Sequence, residues 1–336
     1  HKRDKKTNEI SKIPQIGAKE GQGELCNSVK KLFDKEPKLS ILDGLSVISH
    51  RISVLKAFLK DQKNGRLFPS MNGLTNTLRM QHSVIVNLPG IDKKFGREIR
   101  ECLIADSDSV LCGADLANIE DRTKRHYIYK YDPDYVNDMN TPGYDAHLEI
   151  ALLAGFMDKS ETEWFKKYEQ EEKQKIIHSV DDKKKYEKLK GTRWKAKQTN
   201  FAATYKVGWE TLCRNFQLKP KEGKKLLKIY WERNKAILQI EEDTLTKTIG
   251  EKKWLYNPIS KYWYSLRNDK DKFSTLNQGS AVYCFDIWVT YLRQLGIKIA
   301  LQMHDEVLFN VKKGEEEKTK QLIELAIQKV NERLKL

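Results

Sequence analysis

Residues 193–205 read RWKAKQTNFAATY, and this stretch places Arg193, Lys197, Phe201 and Tyr205 four residues apart. On an α-helix a step of four residues turns a side chain by only about 40°, so these four side chains share one face. Twelve helical residues extend about 18 Å, enough for the cationic end to hold a triphosphate while the aromatic end lies beside a sugar and a base. Taken alone, the pattern would also fit a helix with a basic end that packs on a core through its aromatic residues.

Two aspartates follow apolar runs that look like strands. Asp115 ends residues 109–115, SVLCGAD, and Asp305 interrupts the alternating apolar pattern of residues 297–311, IKIALQMHDEVLFNV. The patterns predict a buried strand that ends at Asp115, and a hairpin whose turn holds residues 304–306. A single aspartate at a strand end is more often a turn or cap residue. A pair on adjacent strands, however, suits Mg²⁺, and two such ions promote in-line phosphoryl transfer.

The charge of the chain favours a polyanionic partner. Its 336 residues include 62 Lys and Arg against 47 acidic residues, a formal net charge of +15. A Lys-rich protein that is merely soluble would have the same composition. The five cysteines form no CxxC pair, which argues against a zinc site or a disulfide framework. No apolar run approaches the ~18 residues of a membrane span, so no membrane partner is expected.

Four further segments have clear patterns. Residues 45–61 have helical periodicity, residues 252–267 have the turn residues and aromatic pairs of a β-hairpin, and residues 274–295 form an amphipathic helical pattern. The charged residues 169–190 fit either a solvated helix or an insertion that touches nucleic acid, and we favour the solvated helix.

Three of these segments together resemble a known family. The spacing Arg-x3-Lys-x3-Phe-x3-Tyr in residues 193–205 resembles motif B, the fingers helix of A-family DNA polymerases. Residues 115–122, DLANIEDR, resemble motif A of that family, and residues 302–306, QMHDE, resemble motif C. The motifs also follow the order of the family, and the likeness is greatest to its bacteriophage branch.

The resemblance implies an α+β fold, namely the right-hand polymerase fold with an antiparallel-sheet palm, helical fingers and a short or incomplete helical thumb. On this basis residues 1–64 are a thumb remnant with a basic helix, and residues 65–122 are the first part of the palm. Residues 123–250 are the fingers, with an insertion at about 155–190, and residues 251–336 are the second part of the palm.

The implied function is that of a DNA-directed DNA polymerase, which extends a primer 3′ end with dNTPs by two-metal phosphoryl transfer and releases pyrophosphate. By this resemblance Asp115, Asp305 and the backbone carbonyl of Leu116 hold two Mg²⁺ ions, for which Mn²⁺ can substitute. Arg193 and Lys197 neutralise the triphosphate, and Lys197 is the candidate general acid toward pyrophosphate.

The resemblance also assigns residues around the nucleotide. His147, in the sequence Asp145-Ala-His147, reaches the incoming phosphates. Glu120, backed by Tyr205, excludes a ribose 2′-hydroxyl, and Phe201 implies discrimination against dideoxynucleotides. The residues assigned to primer-template binding are Arg79, His82, Asn87, Gln278, Gln302 and His304.

The sequence departs from the family pattern at a few positions. Lys206 follows Tyr205 where Gly is usual, so we expect closure of the fingers to differ. Leu78 precedes Arg79 where Gly is usual, and Ser274 stands where Asn is usual, four residues before Gln278.

Two other functions compete with DNA synthesis. A single-subunit RNA polymerase shares the general plan but lacks a carboxylate gate like Glu120. A non-catalytic nucleic-acid-binding scaffold would have no need of paired acids, which repel a phosphate backbone without metal. The expected partners are primer-template DNA, dNTPs and processivity or replisome proteins. The expected location is the cytoplasm of a bacterium or of a phage-infected host cell, with an organelle as the alternative.

Overall fold

A computed structural model describes most of the chain. The described residues are 2–3, 10–11, 25–86, 88–91, 93–216, 218–303 and 305–335. They fall into two compact units. The first unit consists of residues 1–72 and 82–107, and the second of residues 73–81 and 108–336. The division into four segments expected from the sequence stays a prediction.

Helices dominate the described residues. In chain order they are α1 Asn27–Lys30, α2 Leu45–Asp61, α3 Gly96–Glu101, α4 Ile119–Tyr129, α5 Pro133–Asn140, α6 Ala146–Leu153, α7 Lys159–Lys173, α8 Val180–Thr204, α9 Trp209–Phe216, α10 Pro220–Arg233, α11 Lys235–Asp243, α12 Lys272–Gln294 and α13 Glu316–Leu334. Short 3₁₀ helices cover Pro37–Leu42 and Asp269–Asp271. No helix of the described residues is long and apolar enough to cross a membrane.

The strands form small sheets. They are β1 Lys2–Arg3, β2 Ile10–Ser11, β3 Ser70–Leu74, β4 Met80–Ser83, β5 Ser109–Asp115, β6 Thr246–Ile249, β7 Lys252–Tyr256, β8 Trp263–Leu266, β9 Ile299–Met303 and β10 Glu306–Lys312. Strands β1 and β2 pair, as do β3 and β4. Two three-stranded antiparallel sheets have the orders β5-β10-β9 and β6-β7-β8. The predicted hairpin at 252–267 is confirmed as β7 and β8, with β6 as a third strand.

The sheet β5-β10-β9 places the ends of two strands side by side. Strand β10 pairs with β5 from Lys312 opposite Ser109 to Glu306 opposite Asp115. Alternate residues of β5 and β10 face a core shared with α12 and α13, and the opposite face carries Asp115 and Glu306. The strand predicted to end at Asp115 is confirmed, but its predicted burial is wrong, because five of its residues are half-buried and Gly113 and Asp115 are exposed. The turn was predicted to include Glu306, which is wrong, because this residue pairs with both Asp115 and Met303.

Helix α8 is the helix predicted from residues 193–205. It begins after Ser179, whose hydroxyl accepts a hydrogen bond from the Asp182 N–H at 3.1 Å. Its buried residues pack into one core with α6, α9 and α10. Packing on that side leaves the opposite face, with Arg193, Lys197 and Phe201, directed away from the core.

Helix α12 is more deeply buried than an amphipathic pattern predicts. Its first half, including Phe273 and Leu276, packs in a core with α4, α5 and α11, and its second half packs against α13 and the sheet β5-β10-β9. Gly279 permits close packing with β8, because an added Cβ would lie 2.9 Å from Cζ of Tyr264. The helix therefore joins two cores of the second unit.

The remaining predicted elements are also present. Helix α2 has the predicted bounds, and Phe58 is its one buried residue. Residues 169–190 cover the end of α7 and the start of α8, and their side chains are mostly exposed, as expected for solvated helices. Phe165 and Tyr168 on the opposite side of α7 are buried.

Candidate active site

Asp115 and Asp305 lie at the end of the sheet β5-β10-β9. Asp115 is the last residue of β5, and Asp305 directly precedes β10. The backbone N–H of Leu116 donates a hydrogen bond to the carbonyl oxygen of Asp305 at 3.1 Å, so the two chain segments touch at this point. Burial raises the pKa of Asp115, and the negative charge of Asp305 raises it further. The pair thus concentrates negative charge at one position.

These groups fit a hard divalent cation. Within the described part of the chain, no set of three or more His, Cys, Asp or Glu side chains could hold a metal ion. The carboxylates of Asp115 and Asp305 are hard oxygen donors, a small set that suits Mg²⁺, because Mg²⁺ usually keeps waters and binds substrate phosphates as well. The backbone carbonyl of Leu116 accepts a hydrogen bond from the Ile119 N–H at 3.3 Å. A cation would also relieve the repulsion between Asp115 and Asp305.

Glu120 occupies the first turn of α4, beside the carboxylate pair. Its carbonyl oxygen accepts a hydrogen bond from Nδ2 of Asn277 at 2.9 Å, and Oδ1 of Asn277 accepts one from the Thr123 hydroxyl at 2.8 Å. Burial raises the pKa of Glu120, the guanidinium of Arg79 lowers it, and the charge of Asp305 raises it. Glu120 therefore lies within electrostatic reach of both residues.

Arg79 is held at the tip of the β3–β4 hairpin. Its backbone N–H donates to Oγ1 of Thr75 at 3.1 Å, and the Thr75 N–H donates to the Arg79 carbonyl at 2.9 Å. The amide of Asn76 donates to the carbonyl of Ser265 on β8 at 3.3 Å, which fixes the tip to the second sheet. Leu78 has a φ of +64° in this turn, so it adopts the left-handed conformation that Gly adopts without steric penalty.

Tyr205 and Gln278 complete this side of the site. Nε2 of Gln278 donates a hydrogen bond to Oη of Tyr205 at 2.7 Å. Burial raises the pKa of Tyr205, and the charge of Glu120 contributes in the same direction, so the phenol stays protonated. Phe201, one turn earlier on α8, is 53% exposed and Tyr205 is 44% exposed, which leaves two aromatic rings accessible to a base or sugar.

The cationic end of α8 meets the start of α6. Nη2 of Arg193 lies 2.6 Å from Oδ2 of Asp145, and Nε of the same guanidinium donates to that oxygen at 2.8 Å. Asp145 is also the N-cap of α6, because its Oδ1 accepts hydrogen bonds from the N–H groups of His147 at 2.8 Å and Leu148 at 3.0 Å. Nζ of Lys197 lies 5.9 Å from the ring centroid of Phe201, and no ion pair of Lys197 occurs among the described residues.

His147 lies in this cluster as a neutral imidazole. Its Nδ1 is 2.8 Å from Nδ2 of Asn200, and its ring centroid is 5.9 Å from that of Phe201. Burial lowers the pKa of His147 to about 4, against the opposing effect of Asp145 and with the help of Arg193 and Lys197. At neutral pH the positive charge at this end of α8 therefore comes from Arg193 and Lys197.

The remaining residues predicted to bind primer and template are Gln302, His82, Asn87 and His304. Gln302 is a half-buried residue of β9, paired with Val307. His82 belongs to the first compact unit. Asn87 and His304 lie outside the described residues.

Two residues of the site were missed in the sequence, Asn277 and Asn200. Asn277 is buried in α12 and holds the first turn of α4, and Asn200 contacts both His147 and the carbonyl of Ala146, the latter at 3.2 Å. The available signal for Asn277 was a polar amide within the apolar run of residues 274–295.

The sequence matches a known protein family over most of its length. The family model for DNA polymerase family A matches residues 44–336.

The chain belongs to DNA polymerase family A.

This confirms the resemblance carried by the three motifs.

The relatives of this family A chain are distant and longer. It is 24% identical over 277 residues to DNA polymerase I of Lactococcus lactis subsp. cremoris, with 77% of this chain and 28% of the relative aligned. The same identity and coverage hold for DNA polymerase I of Lactococcus lactis subsp. lactis. The family A chain thus spans 28% of the length of these curated relatives.

A solved structure of similar fold supports the predicted architecture of this family A chain. It is the complex of the POL domain of Pol1 from M. smegmatis with DNA primer-template and dNTP. The TM-score is 0.64 at 18% sequence identity, and the likeness covers 95% of this chain and 55% of that one. The α+β right-hand polymerase fold is therefore confirmed.

Proposed function

We propose that this chain is a template-directed DNA polymerase that extends the 3′ end of a primer with dNTPs and releases pyrophosphate. The observation that carries the proposal is the pair Asp115 and Asp305 at adjacent strand ends, joined through the Leu116 hydrogen bond at 3.1 Å. Membership of family A, and the primer-template DNA and dNTP bound by the similar POL domain, point to the same substrates.

The proposed cofactor is a pair of Mg²⁺ ions, with Mn²⁺ as a substitute. When bound, two such ions lower the pKa of an attacking hydroxyl and stabilise the leaving oxygen. Asp115, Asp305 and the carbonyl of Leu116 hold them. Arg193 and Lys197 bind the triphosphate, with Lys197 as the proton donor to departing pyrophosphate, since phosphoryl transfer depends mainly on positioning and charge.

Sugar selection is assigned to Glu120 and Tyr205. Asn277 fixes the backbone of Glu120 at the start of α4, and Gln278 fixes the hydroxyl of Tyr205. The Glu120 carboxylate, on a backbone anchored by Asn277, excludes a ribose 2′-hydroxyl sterically, and the Tyr205 ring cannot move far without breaking its contact with Gln278. Phe201 offers its exposed ring beside the nucleotide and carries the proposed discrimination against dideoxynucleotides.

The proposed role of His147 in binding the triphosphate differs from that of Arg193 and Lys197. Its neutral imidazole can donate one hydrogen bond to a phosphate oxygen but supplies no charge until it is protonated. A bound triphosphate raises the pKa of His147, since a neighbouring negative charge favours the imidazolium form.

Primer-template binding is assigned to Arg79, Gln278 and Gln302, together with His82, Asn87 and His304. Arg79 and Gln278 lie beside the proposed sugar gate, where they can reach the minor-groove acceptors of a terminal base pair. These acceptors report pairing geometry more than base identity. Processivity or replisome proteins are further proposed partners, and the cytoplasm is the proposed location.

Primer extension tests the reaction. We expect the wild type to extend a primed DNA template with Mg²⁺ and dNTPs, and Asp305→Asn or Asp115→Asn to reduce the rate at least ~1,000-fold while primer-template affinity changes little, because the metal ligands and not the docking contacts are lost. Asp269→Asn, at an exposed carboxylate paired with Lys253, is the matched control and should extend normally. Near-normal extension by either site variant would refute the proposal.

The sugar gate has its own test. Glu120→Ala should raise ribonucleotide incorporation about 100-fold relative to deoxynucleotide incorporation, because it removes the carboxylate that blocks the 2′-hydroxyl. The measurement is single-nucleotide incorporation of dCTP and CTP opposite dG. Unchanged selectivity would remove Glu120 from the gate, and efficient extension by the wild type with rNTPs would favour RNA synthesis instead.

A further inference from the structure

Lys206 ends α8 in a backbone conformation that lysine seldom adopts. Its φ is +52°, in the left-handed region where a Cβ meets the following carbonyl oxygen. The Lys206 N–H donates to the Ala203 carbonyl at 2.8 Å, and the Val207 N–H donates to the Ala202 carbonyl at 3.1 Å. This is a left-handed helix terminus of the kind usually made with Gly, and it turns the chain directly after Tyr205.

The side chain of Lys206 is held in a partly buried ion pair, in which the Lys206 side chain is 27% exposed and that of Glu241 is 8% exposed. Its Nζ contacts Oε2 of Glu241, a buried residue of α11, and lies 5.9 Å from the ring centroid of Trp231. The buried Glu241 carboxylate depends on this pairing, since a buried charge without a partner is strongly unfavourable. The ion pair thus opposes any relaxation of the strained turn.

Glu241 extends this contact to α12. Its second oxygen, Oε1, accepts a hydrogen bond from the Phe273 N–H at 3.3 Å. Phe273 belongs to the first turn of α12, where backbone N–H groups lack helical partners and a carboxylate is favourable. One carboxylate therefore links the end of α8 to the start of α12.

These contacts form a closed series that includes Tyr205 and runs through Lys206, Glu241 and α12. Gln278 follows Phe273 on α12 and donates to Oη of Tyr205 at 2.7 Å, while Lys206 is bonded to Tyr205 in the chain. Tyr205 is thus restrained at its backbone through Lys206 and at its hydroxyl through Gln278. Both restraints connect it to α12. A shift of α8 relative to α12 would have to break one of them.

We propose that Lys206 and Glu241 are positioning residues for sugar selection, which set the place of Tyr205 behind Glu120. The inference rests on the proposed function, because it assigns the gate to Glu120 and Tyr205. Lys206 and Glu241 touch neither nucleotide nor metal ligands in this scheme. Their loss lets Tyr205 withdraw, so that space opens at the 2′ position while the phosphate contacts of Arg193 and Lys197 persist.

The test is the ratio of kcat/KM for dCTP to that for CTP opposite dG. Lys206→Met and Glu241→Gln should each lower this ratio about 10-fold, within the range of couplings between contacting residues, while kcat for dCTP changes less than about 3-fold. The double variant should be no worse than the poorer single variant, because both act through one ion pair. Lys206→Arg, which keeps the charge, should remain within about 2-fold of the wild type.

The matched control is Lys130→Met. Lys130 forms an exposed ion pair with Asp243, with Nζ 3.1 Å from Oδ2, and its loss should leave the ratio unchanged. An unchanged ratio in Lys206→Met and Glu241→Gln would overturn the inference. Equal decreases in kcat/KM for dCTP and CTP would also overturn the inference, since they indicate a purely structural role.

Amide hydrogen exchange without nucleotide separates this inference from the proposed function. In Lys206→Met the exchange rates of residues 205–208 and 273–278 should rise together, because one pair restrains both segments. If the wild type fails to extend primers, the proposed function is refuted together with the role in sugar selection, and joint acceleration then shows only that the Lys206–Glu241 pair restrains both segments. Unchanged exchange in both segments would overturn the inference.

Discussion

At the scale of single residues, the charge balance around Asp145 governs the cationic end of α8. Asp145 caps α6 with one oxygen and binds Arg193 with the other, so the guanidinium is held in one orientation. His147, next to this pair, has a pKa near 4 because burial opposes its protonation. The arrangement separates a fixed positive charge from a hydrogen-bonding imidazole.

This low pKa predicts how stability depends on pH. The imidazole binds a proton more readily in the unfolded chain, where its pKa is near 6.5, than in the fold, where it is about 4. Between these values the unfolded state binds more protons, so the free energy of unfolding falls as the pH decreases from 6.5 to 4, by about 2 kcal/mol after allowing for the partial exposure of the ring.

Urea unfolding at several pH values checks this prediction. The His147→Gln variant lacks the titrating group, so its stability should fall less steeply than that of the wild type between pH 6.5 and 4. The carboxylates titrate in both proteins and cancel in the comparison. Parallel curves for the two proteins would contradict the low pKa of His147.

The sequence predicts residue identities better than residue contacts. Asp115, Asp305 and the face of α8 follow from local pattern, because strand ends and helical spacing depend on neighbours in sequence. The pairs Arg193–Asp145 and His147–Asn200 join residues about 50 positions apart, at distances that depend on how α6 packs on α8. No local periodicity reports such packing.

At the scale of elements, α12 organises the second unit. Asn277 illustrates its role, because the buried amide bridges the Glu120 carbonyl and the Thr123 hydroxyl across to α4. Asn257, before the β7–β8 turn, makes a comparable bridge to the Leu276 carbonyl at 3.0 Å. Polar groups within the core thus fix the register of α12 against its neighbours.

Asn277→Ala should therefore be costly. It leaves the Glu120 carbonyl and the Thr123 hydroxyl without this buried partner, so the free energy of unfolding should decrease by about 2–3 kcal/mol. Asn268→Ala is the control, since the Asn268 amide bonds Asp271 at the surface, and it should lose less than about 1 kcal/mol. Urea denaturation measures both, and equal losses would mean that the Asn277 bridge does not stabilise the helix pair.

The bounds of elements were predicted well where the pattern is long or sharply ended. Helix α2 and strand β5 have the predicted ends, because apolar periodicity stops there. The third strand β6, Thr246–Ile249, was not predicted, since four residues that alternate Thr with Lys and Ile depend on pairing with β7 rather than on local preference. The burial of α12 on two sides was also not predicted. Polar residues such as Asn277 and Ser280 are buried there, and in the sequence such residues indicate an exposed face.

At the scale of the whole molecule, the net charge of +15 predicts the salt dependence of DNA binding. Lys and Arg side chains that bind phosphates release condensed counterions, so affinity for primed DNA should fall at least about 100-fold between 50 and 200 mM salt. Fluorescence anisotropy with a labelled primer-template measures this. A flat response would show that the excess charge lies away from the bound DNA.

The general fold could be predicted because three motifs in fixed order specify which segments must meet. The division into two compact units could not, because the second unit includes residues 73–81, which are separated in sequence from the rest of that unit. The tip of the β3–β4 hairpin joins it through Asn76 and Ser265, a contact between residues far apart in the chain.

The packing of α7 has an evolutionary consequence. Phe165 of this predicted insertion is fully buried in the same core as Ala196 of α8, and its ring stacks on Tyr186 with centroids 5.1 Å apart. Gain or loss of α7 alone would leave the apolar residues of α8 that pack against it in water. Substitutions at this contact are therefore coupled, so chimaeras between relatives should exchange 155–204 as one block.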